Sequence, residues 1–357
     1  MTSEAAPDPS VGVRMHGATL TLEADRPALI EYATHHLASL ALGPVEAPDL
    51  SVRCRWSEGD WDPEQNPFTP DGPLDVIGKR MLGSPSELVW LDTLRMEGLQ
   101  LRFQRAPEPW RFDVAYRYSP KVRKSGPVSE YEYKRYFSLM SYLVYYPLIW
   151  FLERTRGWVA LHASALATPS GGVIIGGLGG VGKTTTCIAL LARPGVSLMA
   201  ENLVFTDGTF VYPCYEPIRL DENSLAVLGD DLRGLAPMPF PEGLKKKTLY
   251  HLVDPPAQRI EAAALFLPEF SQRSRVTALD PESTVEKLIA INRLTRELDD
   301  YGWYASALEM HWPLAGQSAR RGEVLRSFTQ RARCFALGID RGAGVGRVVD
   351  DILGSLR

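Results

Sequence analysis

The sequence predicts two domains, an N-terminal α+β domain over residues 1–155 and a C-terminal α/β domain with a mixed sheet over residues 156–357. The length of 357 residues corresponds to about two domains at roughly 150 residues each. A short apolar strand, a glycine-rich loop and a helix follow one another between Gly172 and Ala192. The dipeptide Asp207-Gly208 then predicts a tight hairpin, which turns the next strand back antiparallel and makes the sheet mixed.

Composition and charge restrict the class of protein. Apolar residues make up 45% of the chain and charged residues 23%, which is typical of a folded globular protein. The net charge is -4, so the sequence gives no reason to expect a nucleic-acid partner. The acidic residues near the N-terminus argue against a secretory signal, and we expect a cytoplasmic protein. The longest uncharged stretch, Tyr136 to Leu152, is shorter than the roughly 20 apolar residues of a membrane span. We predict that it is a buried helix and expect no membrane partner.

The sequence of the N-terminal domain predicts a helix and a sheet, and it contains no motif that indicates a chemical function. Pro27 begins a predicted amphipathic helix, because apolar residues recur after it at helical spacing. Between residues 47 and 124, alternating runs such as Leu50 to Trp56 and Leu99 to Gln104 predict a small antiparallel sheet.

A phosphate-binding motif follows the predicted strand at Val173 to Ile175. Eight residues match G-x-x-x-x-G-K-[ST] at every fixed position, and a predicted helix follows at once. The eight residues and the first residue after them are Gly177, Leu178, Gly179, Gly180, Val181, Gly182, Lys183, Thr184 and Thr185. We expect all nine to bind a nucleotide. The alternative is a glycine-rich turn that happens to precede Lys-Thr.

Each residue type of this motif has a physical reason. Glycines let successive backbone N–H groups curl around a polyphosphate, and the N-terminus of the following helix adds a partial positive charge. Lys183 would bring a full positive charge to the β and γ phosphates, and the Thr184 hydroxyl would bind Mg²⁺. The motif therefore predicts ATP and Mg²⁺ as cofactors.

The next apolar run, Val196 to Phe205, contains Glu201 and Asn202. A carboxylate at the end of an apolar strand is where enzymes with this loop place a group that meets the metal or the attacking atom. The sequence has no N-K-x-D guanine-reading motif and no transporter signature, which argues against GTPases and transporters. The predicted hairpin that follows argues against a further class, the motor-type ATPases.

Three pieces of this text together resemble the HPr serine kinase/phosphorylase family and its relatives among the tailoring kinases of peptide natural-product pathways. The pieces are Leu161-His162-Ala163, the glycine loop, and the run from Leu198 to Val204. Weaker similarity continues through Tyr212-Pro213 and Ile218-Arg219-Leu220. The resemblance covers the chain from Gly157 onward and does not explain the N-terminal part.

The resemblance implies an HPr-kinase/PEP-carboxykinase-like fold and roles for five residues. In that family a pair of aspartates follows the apolar strand, and Glu201 and Asn202 stand at the matching positions. Glu201 would accept the acceptor proton and, with Thr184 and Asn202, hold the metal. His162 would approach the phosphates, and Lys183 would join it and Glu201 in catalysis. The alternatives are a core histidine at 162, a structural carboxylate at 201, and a side chain that starts the hairpin at 202.

Further basic residues are candidates for the acceptor or phosphate side of the site. Arg219 matches a basic position near the site of that family, and Lys245, Lys246 and Lys247 form a cationic run that is also typical of a solvated surface. The remaining sequence predicts elements with a structural role only. They include a helix from Pro281 to about Leu298 and a strand that includes Glu309 and His311.

The sequence thus predicts an ATP- and Mg²⁺-dependent kinase that transfers the γ-phosphoryl group to a hydroxyl of a peptide, a small protein or a small molecule. The alternative is a non-catalytic nucleotide-binding module whose N-terminal domain binds a partner, and the missing charge at Asn202 motivates it. The size of residues 1–155 suggests a role in acceptor recognition. Whether the chain forms a homo-oligomer stays open.

Overall fold

A computed structural model describes residues 8–93, 95–105, 109–119, 128–228, 234–240, 247–253 and 257–356. The protein is mixed α/β with large mixed sheets, as the sequence predicts at this coarse level. The chain divides into two compact units. The first comprises Met1–Phe151, Pro239–Lys245 and Tyr304–Pro313, and the second comprises Leu152–Met238, Lys246–Trp303 and Leu314–Arg357. The domain boundary predicted after residue 155 stays a prediction.

The first unit is built on a nine-stranded sheet. Its strands are β1 (Ser10–Met15), β2 (Ala18–Ala24), β3 (Ala41–Leu42), β4 (Leu50–Glu58), β5 (Asp75–Gly78), β6 (Met81–Ser84), β7 (Glu87–Trp90), β8 (Leu99–Gln104) and β9 (Trp110–Tyr118). They lie in the order β3-β1-β2-β4-β9-β8-β7-β6-β5. The predicted small antiparallel sheet is wrong, because β4 pairs in parallel with both β2 and β9. A helix connects β2 to β4 and permits a parallel crossover, which the alternation of side chains does not reveal.

Helices of the first unit are α1 (Pro27–His36) and α2 (Val128–Met140), which continues through a π-helical segment (Ser141–Tyr145) into α3 (Tyr146–Arg156). The residues of α3 from Leu152 on belong to the second unit. The predicted buried helix is confirmed, since Tyr136, Leu143 and Trp150 are buried. No helix among the described residues is long and apolar enough to cross a membrane. His36 is also buried, and burial lowers its pKa to about 3.

The second unit contains an eight-stranded sheet and a three-stranded sheet. The strands of the larger sheet are β10 (Val159–Thr168), β11 (Gly171–Gly176), β12 (Ser197–Ala200), β13 (Leu203–Thr206), β14 (Phe210–Pro213), β18 (Ile260–Phe270), β19 (Arg275–Ala278) and β20 (Arg333–Ile339). Those of the smaller sheet are β15 (Ile218–Asp221), β16 (Leu235–Pro237) and β17 (Lys247–Leu252). The larger sheet has the order β11-β10-β13-β14-β18-β20-β19, with β12 also paired to β10 and β11 also paired to β18. The hairpin predicted at Asp207-Gly208 joins β13 to β14.

Helices of the second unit cover both faces of this sheet. They are α4 (Lys183–Leu191), α5 (Glu222–Leu228), α6 (Pro281–Leu294), α7 (Arg296–His311), which continues into the first unit, α8 (Gln317–Arg331) and α9 (Val345–Ser355). The helix predicted to run to Leu298 ends at Leu294, because Thr295 has an extended backbone. The strand predicted at Glu309 and His311 is wrong, since both residues lie in α7.

Alternate residues of the central strands pack into two cores. Ile175 and Phe266 join one core with Ile188 of α4 and Ile352 of α9. The neighbouring residues Ile174 and Leu265 join the other core, which includes residues of α6 and α8. Because a strand buried on both faces presents apolar side chains to each, β11 is held rigidly at the point where the glycine loop leaves it.

Candidate functional site

The glycine loop connects the end of β11 at Gly176 to the start of α4 at Lys183. Gly180 and Gly182 have φ values of 80° and 90°, a left-handed conformation that favours glycine. A Cβ built on Gly179 or Gly180 would meet no heavy atom within 4 Å. The middle of the loop is therefore open on the side where its side chains would stand, and a ligand can approach the backbone closely.

Lys183 lies beneath this loop and is only 7% exposed. Its Nζ donates hydrogen bonds to the carbonyl oxygens of Gly177 at 2.9 Å and Leu178 at 2.8 Å. Burial lowers the pKa of the ammonium to about 8, although the carboxylates of Glu201 and Glu297 oppose the shift. Lys183 is therefore still mostly protonated at pH 7 and brings one positive charge to the loop.

Thr184 and Glu201 form a pair of oxygen donors beside the loop. The Thr184 hydroxyl donates to a carboxylate oxygen of Glu201, which follows the last residue of β12. The hydroxyl of Ser164 on β10 donates to the backbone oxygen of Glu201 and fixes the turn that carries the carboxylate. The structure thus brings two of the three predicted metal-binding residues into direct contact.

His162 lies on β10 and contacts the first residue of the loop. Its Nδ1 is 2.8 Å from the carbonyl oxygen of Gly177, so this nitrogen carries the proton that the carbonyl accepts. Its backbone N–H donates to Asn292 on α6. Burial, followed by the charge of Lys183, lowers the pKa of His162 to about 4. Near pH 7 the imidazole is therefore neutral and donates to the loop carbonyl.

Asn202, the third predicted metal-binding residue, is hydrogen-bonded to a carboxylate that the sequence did not single out. Its Nδ2 donates to Glu216 Oε2 at 2.8 Å. Burial raises the pKa of Glu216 to about 7, against the opposing effects of Asn202 and Arg219. Asn202 itself carries no charge, but Glu216 places a carboxyl group next to it. No sequence pattern distinguishes Glu216 from a surface carboxylate.

Arg219 on β15 is drawn to the same region by a second overlooked acid. Its Nη2 lies 3.2 Å from Glu297 Oε1, and both side chains are about one-third exposed. Burial raises the pKa of Glu297, but its own backbone N–H, Arg219 and His162 oppose this, and the net shift is downward. Arg219 thus lies within electrostatic range of Glu216 and Glu297, as a basic residue of the site would.

The cationic run is placed only in part. Lys247 is exposed at the start of β17, opposite Asp221 of β15. It lowers the pKa of that aspartate, although the hydrogen bonds from Ser224 are the larger cause. Lys245 and Lys246 lie outside the described residues. Among the contacts of the described residues, none connects Lys247 to the glycine loop.

The donor set fits Mg²⁺ that is shared with phosphates. Within the described ranges, no group of three or more His, Cys, Asp or Glu residues could hold a metal by itself. Mg²⁺ usually takes one or two carboxylates and completes its shell with substrate phosphates and water. Thr184 and Glu201 offer a hydroxyl and a carboxylate of this kind at the mouth of an open phosphate loop, so the residues fit the group.

Comparison with known proteins does not assign the chain to a family. No protein-family model matches the chain, and no curated protein matches its sequence. The resemblance described from the sequence therefore stays a prediction, and the functional argument depends on the residues of the site.

Proposed function

We propose that the protein is an ATP- and Mg²⁺-dependent kinase that transfers the γ-phosphoryl group to a hydroxyl of a peptide, a small protein or a small molecule. One observation carries the proposal. An open glycine loop has a buried ammonium beneath it, and the hydroxyl of Thr184 beside it is hydrogen-bonded to the carboxylate of Glu201. These are the groups that phosphoryl transfer needs for positioning and charge neutralisation.

The proposal includes the finer fold and setting that the sequence predicts. We propose that the second unit has the HPr-kinase/PEP-carboxykinase-like fold and that the N-terminal domain recognises the acceptor. The mixed sheet supports the proposed fold, because the β13–β14 hairpin returns antiparallel after Glu201. We further propose a cytoplasmic enzyme with neither nucleic acid nor membrane as its partner.

The residues have distinct roles in the proposed transfer. The loop amides and Lys183 bind the phosphates, and Thr184, Glu201 and Asn202 would hold the metal. Bound Mg²⁺ would offset the charge of the phosphate oxygens. The acceptor oxygen forms a bond to the γ-phosphorus while the bond from that phosphorus to the β,γ-bridging oxygen breaks. The electron pair of this bond leaves with ADP, and Glu201 accepts the hydroxyl proton.

Two neighbouring contacts support this arrangement. His162 holds the carbonyl of Gly177, and this contact fixes the entrance of the loop. Glu216 is hydrogen-bonded to Asn202 and restores an acidic group next to the position where the resembled family has an aspartate. Its pKa of about 7 makes it a second group able to exchange a proton near neutral pH.

The experiment is a transfer assay with labelled ATP and a panel of peptide, protein and small-molecule acceptors, followed by mass spectrometry of the product. Glu201→Gln keeps the acceptor oxygen for the Thr184 hydrogen bond but removes the charge and the basicity. We expect this variant to be at least about 100-fold slower than wild type. Glu286→Gln, on the exposed face of α6, is the matched control and should transfer at the wild-type rate. Equal rates for both variants would remove the role assigned to Glu201.

A second candidate function is a nucleotide-binding module without catalysis. The neutral side chain of Asn202, whose amide donates to Glu216, favours it because one metal-binding charge is lost. This function predicts that no acceptor turns over, while binding of a partner depends on the nucleotide. Phosphate transfer to any acceptor in the panel would decide against it.

A further inference from the structure

The glycine loop lies against the ends of two neighbouring strands that the proposed function has not used. β11, β18 and β20 are adjacent and parallel, so their C-terminal ends meet at one edge of the sheet. A Cβ built on Gly177 would lie 3.3 Å from Pro268 of β18. A Cβ built on Gly182 would lie 3.5 Å from Ile339 Cδ1 of β20. Both ends of the loop are therefore flanked by the same pair of strands.

Phe270 stands at this edge, on the face of the sheet that α4 covers. Phe266, Pro268 and Phe270 alternate along β18 and share one face, and Phe266 belongs to the core with α4. Phe270 is opposite Ile339 in the strand register. Because a strand advances about 3.3 Å per residue, Phe270 lies roughly 7 Å beyond Pro268, which flanks Gly177.

The Phe270 ring is exposed, and the guanidinium of a neighbouring arginine lies over it. Phe270 is 47% exposed, although five other aromatic or aliphatic residues of its strand, from Ala264 to Pro268, are buried. Arg341, in the turn after β20, places Cζ 3.8 Å from the ring centroid. An exposed aromatic ring with a guanidinium beside it is the kind of surface on which nucleic-acid bases stack.

The orientation of the bound phosphates follows from the rest of the site. Thr184 and Glu201, which would meet the transferred group, lie on the β10 side of the loop, because β12 pairs with β10. β18 flanks β11 on the opposite side. If the γ-phosphoryl end points toward Glu201, the nucleoside end leaves the loop toward β18 and β20, where Phe270 is exposed.

We propose that the ring of Phe270 and the guanidinium of Arg341 form the binding surface for the purine base of the nucleotide. This inference rests on the proposed nucleotide binding and deepens it by assigning the base a place. A purine covers more of the ring and guanidinium than a pyrimidine does, so the surface favours purine nucleotides by contact area.

The test compares the affinities of ATP, CTP and inorganic triphosphate, each with Mg²⁺, for wild type and Phe270→Ala. Base stacking on an aromatic side chain contributes about 1–3 kcal/mol, so we expect the variant to bind ATP roughly 5- to 150-fold more weakly. Triphosphate affinity should not change, because the loop is intact. Phe270→Tyr keeps the ring and should bind ATP as wild type does. Trp303→Ala removes a comparably exposed aromatic side chain of 48% exposure and should have no effect.

The outcomes separate this inference from the function on which it rests. If wild type binds triphosphate and ATP but Phe270→Ala keeps the full preference for ATP over triphosphate, the base site is overturned and the phosphate site stands. If wild type binds neither compound, the proposed nucleotide binding fails and the base site fails with it. Arg341→Gln is a second variant with an intact ring, and a weakened ATP affinity with unchanged triphosphate affinity supports the same assignment.

Discussion

Replacing Lys183 by Met removes the buried ammonium beneath the glycine loop and leaves an unbranched chain of similar length. In wild type, Nζ donates to the carbonyl oxygens of Gly177 and Leu178. In the proposed complex it binds phosphate oxygens. The substitution therefore changes two quantities with different physical origins, the affinity for nucleotide and the free energy of unfolding.

The affinity should fall strongly. A hydrogen bond between two charged groups contributes about 1.5–3 kcal/mol, which corresponds to a loss of roughly 10- to 150-fold in affinity. The upper part of this range is expected, because the ammonium is only 7% exposed and water screens it little.

The free energy of unfolding should change much less. The fall in the pKa of Lys183 from 10.5 to about 8 means that folding disfavours its charged form by about 3 kcal/mol at pH 7. Its two hydrogen bonds, at about 1.5–3 kcal/mol each, offset this cost. Because the folded pKa is lower than the unfolded one, the folded state binds fewer protons between pH 8 and 10.5. The stability of wild type therefore rises with pH in that window, and Lys183→Met should lack this rise.

The assay is calorimetric titration with Mg-ATP, together with urea unfolding of both proteins at pH 7 and across pH 8 to 10. We expect a large loss of affinity and a free energy of unfolding within about 2 kcal/mol of wild type. A variant that binds Mg-ATP as tightly as wild type would refute the placement of Lys183 on the phosphates. A variant that unfolds far more easily would show instead that the ammonium is structural.

Three further predictions concern the metal, the acid stability and the loop backbone. Thr184→Ala should raise the Mg²⁺ concentration for half-maximal transfer by roughly tenfold, whereas Thr184→Ser should not. Between the ordinary pKa of 6.5 and the folded value of about 3, buried His36 binds protons only when unfolded. Stability should fall by up to about 1.4 kcal/mol per unit as pH drops through this window, and His36→Leu should flatten the urea-unfolding profile. Gly182→Ala should cost about 1–2 kcal/mol in urea unfolding because of its φ of 90°, while Gly346→Ala in α9 should not.

Each of these has a contrary outcome. An unchanged Mg²⁺ requirement in Thr184→Ala would place the metal elsewhere. An acid profile that is identical in His36→Leu would assign the loss of stability to other groups, among them His162. A Gly182→Ala protein as stable as wild type would show that the loop can relax to a different backbone conformation.

Local patterns predicted the part of the site that is contiguous in sequence. The strand, the glycine loop and α4 follow from apolar residues, glycine and the Lys183-Thr184 pair, because these interactions lie within a few residues. Glu216 and Glu297 were missed because they reach the site through tertiary contacts, with Asn202 in one case and Arg219 in the other. Neither has a sequence pattern that distinguishes it from a surface carboxylate.

The fold shows the same limit. Alternation predicted the existence of β4 and β8, but strand direction depends on which distant strands pair, and β4 lies parallel to two neighbours. The prediction of a strand at the end of α7 is wrong, because the two-residue spacing of Glu309 and His311 also fits one face of a strand. Their helix buries Tyr301, Ala305 and Leu308 at helical spacing, which only the longer window reveals.

Strand β10 sets the distance between the two halves of the proposed chemistry. His162 contacts the loop carbonyl, and Ser164, two residues later, holds the turn that bears Glu201. Because these residues are two positions apart on one strand, they are separated by about 7 Å along it. Inserting a single residue between them would turn one of the two side chains to the other face of the sheet. The glycine loop and Glu201 would then no longer be held by the same strand.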